Sequence, residues 1–123
     1  MRYLMMVKGD ENFRVSGPPP KALYDAIDEL GIEAAKTGKM VSMGGLQHSS
    51  KGARVRSEGG AVTVKDGPFS EAKEVIGGYA LINAHSRAKA IEIATEFVEL
   101  HRRTWPEFEC ACELRPIEGG ESE

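Results

Sequence analysis

A carboxylate, an imidazole, a phenol and several bases fall between positions 48 and 79 of this 123-residue chain. Together these types suit proton transfer on a small polar molecule. Asp66 stands where a strand-like run, Gly60 to Lys65, enters Gly67-Pro68. That dipeptide is a turn signal, because glycine reaches positive φ and proline fixes φ at about −65°. A carboxylate at a strand end beside a cavity serves as general acid or base when burial raises its pKa. Equally, its oxygens can accept the N–H groups of the turn, and a turn-bonded carboxylate keeps free lone pairs. His48 opens a polar loop after Gly44-Gly45; an imidazole suits proton exchange near neutrality, or is simply an exposed loop ring. Arg54 and Arg56 share one strand face and can grip a carboxylate if that face lines a cavity; if it faces water, nothing follows. Lys73 either binds an anionic substrate group or joins Glu71 and Glu74 in a solvated ion-pair cluster. Tyr79 offers a phenol to a pocket or fills core. His85, beside a helix cap, and His101, at a helix end where a cation suits the dipole, read as structural.

Other chemistries are missing from the pattern. The pairs Gly44-Gly45 and Gly59-Gly60 lack the spaced glycines of a phosphate-binding loop. There is no nucleophile elbow and no zinc helix. Cys110 and Cys112, two apart in a strand, read as small buried thiols that do not bond to each other. The expectation is therefore no cofactor and no metal.

Two periodicities position these residues. Arg2 to Lys8 is a strand with apolar residues on both faces, followed by a polar, proline-rich loop, Gly9 to Pro20. Leu23, Ala26, Ile27, Leu30, Ala34 and Ala35 recur at helical spacing, and Thr37-Gly38 ends that helix. Met40 to Leu46 is a second strand. Ala53–Ser57 and Ala61–Lys65 flank Glu58-Gly59-Gly60 as a hairpin. In the strand Val75 to Ala84, Ile76, Ala80 and Ile82 are expected on one face, and Val75, Tyr79 and Leu81 on the other. Ser86 caps a second amphipathic helix that Trp105-Pro106 breaks. Phe108 to Arg115 alternates as a last strand, and 118–123 reads as a flexible acidic tail. This order predicts an α+β, ferredoxin-like βαββαβ fold with an extra hairpin and both helices on one sheet face. Strands apolar on both faces then call for a second copy on the open face, a homodimer.

Composition narrows the class. Hydrophobic residues make up 41% and the net charge is −3 with mixed signs, which gives a folded domain without a basic footprint for nucleic acid. The apolar run Tyr3 to Val7 is too short for a secretory segment or a membrane span, so a cytoplasmic location without membrane contact is expected.

Asp66-Gly67-Pro68-Phe69, followed by Lys73-Glu74 and Gly77-Gly78-Tyr79, resembles the DGPF motif of the YCII-related proteins. The likeness extends to Tyr3-Leu4-Met5-Met6, Gly44-Gly45-Leu46-Gln47, Arg54-Val55-Arg56 and Glu113-Leu114-Arg115-Pro116-Ile117. It implies a single domain over residues 1–117 that pairs into a dimeric α+β barrel. The His–Asp pair of some members suggests coupling His48 with Asp66, although the DGPF branch does not fix a histidine after this turn. The resemblance names no reaction. It leaves open cofactor-free acid/base chemistry on a small organic molecule at the DGPF loop, with Asp66 and His48 as catalytic groups and Arg54, Lys73 and Tyr79 on the substrate. It leaves open equally a non-catalytic regulatory module that contacts an extracytoplasmic-function sigma factor, an association of the DGPF branch, or a purely structural dimer.

Overall fold

The computed structural model of the chain describes residues 1–12, 18–69, 71 and 73–119. Strand β1 (Arg2–Gly9) alternates as its sequence demands: Tyr3 and Met5 are almost fully buried, while Leu4 and Met6 on the other face are half-buried. Helix α1 (Lys21–Lys36) starts directly after Pro20, which needs no N–H at that position. Its end is closed by Thr37, whose hydroxyl donates to the Glu33 and Ala34 carbonyls. Strand β2 (Met40–Gly45) leads into a short 3-10 turn at Ser49–Lys51, and β3 (Ala53–Glu58) and β4 (Ala61–Asp66) form the hairpin. Strand β5 (Val75–Asn83) is followed by α2 (Arg87–Thr104), capped by the Ser86 hydroxyl accepting from the Lys89 N–H at 3.2 Å, and by β6 (Cys110–Pro116).

The sheet order is β2-β5-β1-β6, all antiparallel, with β3-β4 as a separate two-stranded sheet inserted between β2 and β5. Two β-α-β crossovers in that order make a ferredoxin-like α+β fold, as the periodicities predict. Tyr3, Met5, Ala80, Ile82, Ala90 and Ala94 form the core between sheet and helices. Leu23 and Leu100 join Trp105 in a second cluster where the two helices meet, each leucine contributing about 1.5–3 kcal/mol through burial. No helix is long and apolar enough to cross a membrane among the described residues.

Two local expectations are corrected. Phe108 lies outside β6 and stacks on Trp105, ring centroids 4.7 Å apart. It covers the end of β1, where a Cβ on Gly9 would come within 2.6 Å of its Cζ. Ile76 does not share a face with Ala80 and Ile82. The register slips between Val7 and Lys8, so that Lys8 pairs with Ile76 and Val7 with Gly78. One extra residue, Gly77, turns Ile76 to the helix-free face, the usual effect of a bulge. Most of the tail, 120–123, and positions 70 and 72 of the motif region lie outside the described residues.

Candidate functional site

Reading the sheet in rows across its helix-covered face explains where space is left. One row aligns Met43, Ala80, Met5 and Leu114. The next aligns Gly45, Gly78, Val7 and Cys112. Two of those four positions carry no side chain, and α1 and α2 cannot fill the gap. A cavity of about 180 Å³ results, lined by Leu23 and Ile27 of α1, Phe97 and His101 of α2, Trp105 and the glycine strands. A Cβ on Gly45 would meet nothing within 4 Å. The Tyr79 ring lies on the other, helix-free face, in the row of Met6 and Gly44, where a Cβ on Gly44 would stand 3.0 Å from the Tyr79 Cε1.

The mouth is polar and is built by Asp10, Glu11, Gln47 and His48. Glu11 takes two hydrogen bonds from one residue: the Ser49 N–H donates to Oε1 at 2.8 Å and the Ser49 hydroxyl to Oε2 at 2.5 Å. Burial of this side chain, 14% exposed, works to raise its pKa. The Ser49 hydrogen bonds and the nearby His48 outweigh that and hold the carboxyl below its ordinary range. His48 lies with Nε2 3.5 Å from Glu11 Oε2 and 3.3 Å from Asn12 Oδ1. Its Nδ1 accepts the Ser50 N–H at 3.1 Å, which leaves the proton of the neutral ring on Nε2, facing Glu11 and Asn12.

The Asp66-Gly67-Pro68-Phe69 loop is the support beneath this mouth. The Gly67 N–H donates to the Gly52 carbonyl at 3.0 Å and the Phe69 N–H to Ser49 Oγ at 3.1 Å. The Gly67-Pro68 peptide is cis, and the φ of Gly67 is not in the left-handed region. Glycine is needed there for close approach rather than for positive φ: a Cβ would lie 1.7 Å from the Ser49 carbonyl oxygen. A chain of contacts thus runs from Gly67 and Phe69 through Ser49 to Glu11 and His48.

Of the residues singled out from sequence, His48 lines the cavity, whereas Tyr79 belongs to the strand that borders it and turns its ring to the helix-free face. Asp66 does not line the cavity: it ends β4 opposite Ala53 and is exposed, not partly buried beside a pocket. Its side chain makes no hydrogen bond to the following turn among the described residues. His48 is therefore beside Glu11, not Asp66. Arg54 is held away from the cavity, ion-paired with Glu71 and stacked 4.2 Å over the Phe69 ring, so it ties β3 to the motif loop. That contact lowers the pKa of Glu71. Lys73 is exposed and outside the cavity wall. Sequence reasoning missed Glu11, since its partners lie 37 and 38 residues away and no local pattern announces them. His101, read from the sequence as structural, is 6% exposed and bonds the Phe97 carbonyl of its own helix, and it also lines the cavity. Among the described residues no group of three or more His, Cys, Asp or Glu side chains could hold a metal ion.

The model of the YCII-related domain matches residues 1–99. The chain belongs to the YCII-related domain family. No curated protein matches it. In this YCII-related domain the matched part spans β1 to most of α2 and contains Glu11, His48, Ser49 and the motif loop. The rest of the cavity wall, His101, Trp105 and Phe108, follows after it.

Proposed function

We propose that this YCII-related protein binds a small organic molecule in the cavity between its helices and the Gly45–Gly78 row. The observation that carries the reading is the pairing of an apolar, glycine-made hollow with a polar mouth held by the Glu11–Ser49–His48 cluster. With its Nδ1 lone pair taken by the Ser50 N–H, the neutral His48 ring offers the bound molecule a hydrogen bond from Nε2. Glu11, 3.5 Å from Nε2, helps to orient that N–H. A substrate group that uses Nε2 has to replace Asn12 Oδ1 at 3.3 Å. The test is retention of small molecules from a cell extract by the native protein, read by mass spectrometry, with Gly45→Val as control. The variant adds bulk where a Cβ meets nothing within 4 Å, so it fills the hollow without opposing the fold. Compounds retained by the native chain and lost by the variant support the reading; identical profiles refute it.

The same chain is proposed to work as a homodimer. Leu4, Met6 and Leu81 lie on the helix-free face, and Val55, Val62 and Val64 form one face of the hairpin at 64%, 72% and 68% exposure. Apolar surface of this kind marks a protein contact, and a second copy of the sheet is the partner of matching shape. The sigma-factor reading would use the same surface, and an obligate monomer would favour it.

A further inference from the structure

The wall of the cavity also narrows what it can hold. We propose that it takes a neutral, single-ring aromatic molecule carrying a hydroxyl or N–H group, with that donor on His101 Nε2. The inference rests on the cavity being a binding site and adds the class of molecule.

Three observations converge. First, His101 is buried at the cavity wall with one nitrogen unpartnered. Its Nδ1 lies 3.0 Å from the Phe97 carbonyl, which only accepts, so Nδ1 must carry a proton. The neutral ring then presents Nε2 as an acceptor, and that atom has no hydrogen-bond partner in the protein among the described residues. A donor on a bound ligand would satisfy it. Second, the charge of the wall rejects anions. Among the described residues no lysine or arginine lines the cavity, while Asp10 and Glu11 stand at its mouth. A carboxylate or phosphate would enter against like charge and find no counter-ion among the described residues. Third, size and surface fit one ring. An apolar cavity of about 150 Å³ takes up benzene, and this one is about 180 Å³. Its wall includes Phe97, Trp105, Phe108 and Tyr24, whose faces and edges favour another aromatic ring over an aliphatic chain of equal volume.

The experiment titrates the full chain with phenol, toluene, cyclohexanol and benzoate, following amide and imidazole ¹⁵N signals by NMR. Phenol should bind tighter than toluene by about tenfold, the worth of one hydrogen bond. It should shift the His101 Nε2 signal and bind better than cyclohexanol, and benzoate should not bind. In His101→Phe, toluene should still bind while the preference for phenol disappears; retained toluene binding shows that the variant is folded. Equal binding of phenol and toluene to the native chain would overturn the role of His101 and leave the cavity as a site. Preference for benzoate or cyclohexanol would overturn the class. If none of the four binds while extract compounds are still lost with Gly45→Val, this proposal fails and the binding function stands. If both experiments are blank, both fail.

Discussion

A Cβ on Gly67 would lie 1.7 Å from the Ser49 carbonyl oxygen, so the motif glycine and the serine beside His48 touch through their backbones. Such contact allows no side chain at 67 and makes the motif loop a mechanical part of the cavity mouth. Gly67→Ala must push the 3-10 turn away, and overpacking of this kind costs about 1–3 kcal/mol. Chemical denaturation should show the loss, with displaced amide signals for Ser49 and Phe69. An alanine variant of native stability with unmoved signals would mean that the contact is not tight.

Glu11 gives a pH dependence of known sign. Its folded-state pKa is lowered, net, by the Ser49 hydrogen bonds and by His48, against burial that works to raise it. A depressed carboxyl stabilises the fold above its unfolded pKa, and that contribution is lost as pH falls through the folded value. At neutral pH Glu11→Gln should cost about 1–3 kcal/mol, as for a charged hydrogen bond. The gap between native protein and variant should narrow as the pH falls below the usual carboxylate range. A gap that stays constant from neutrality down to acid would show that Glu11 is not ionised in its pairing.

Asp66→Asn tests the residue that the motif brings first to attention. Asp66 is exposed and its side chain has no partner among the described residues. Stability should stay within about 0.5 kcal/mol of native, the range of a surface change, and retention of cavity ligands should be unaltered. Loss of ligand retention in a stable variant would return Asp66 to the site.

Cys110 and Cys112 are free thiols on the same strand. Burial, with the neighbouring Cys110 adding to it, pushes the Cys112 thiol up to about 11, and burial raises Cys110 as well. Thiol reagent at mildly alkaline pH should react slowly with the folded chain and recover both groups at once in denaturant. Rapid labelling of the folded protein would contradict the burial of that strand.

Light scattering at micromolar concentration should give twice the monomer mass. Val64→Lys, placed on the exposed hairpin face at 68% exposure, should shift the balance toward monomer without lowering the stability of the isolated fold. A native chain that is monomeric at that concentration would remove the dimer from consideration.

Much of the fold was legible in the residues themselves. Alternation at Tyr3 and Met5, helical spacing from Leu23 to Ala35 and the Ser86 cap are local signals, and each fixes an element through backbone geometry alone. The motif residues also announced a special turn, because glycine and proline act on φ within one residue. The sequence alone could not say what that turn was for. Gly67 is required by a carbonyl 18 positions earlier in the chain, and the carboxylate that faces His48 is Glu11 rather than Asp66. The slip that turned Ile76 outward came from matching β5 to β1, since one extra residue in one strand is invisible without its partner. The cavity is likewise a property of a row. Gly45 and Gly78 are unremarkable apart, and only strand pairing sets them side by side under two helices that cannot reach down to fill the space. Local geometry is written in neighbouring residues; register, burial and the meeting of distant side chains exist only once the chain has closed on itself.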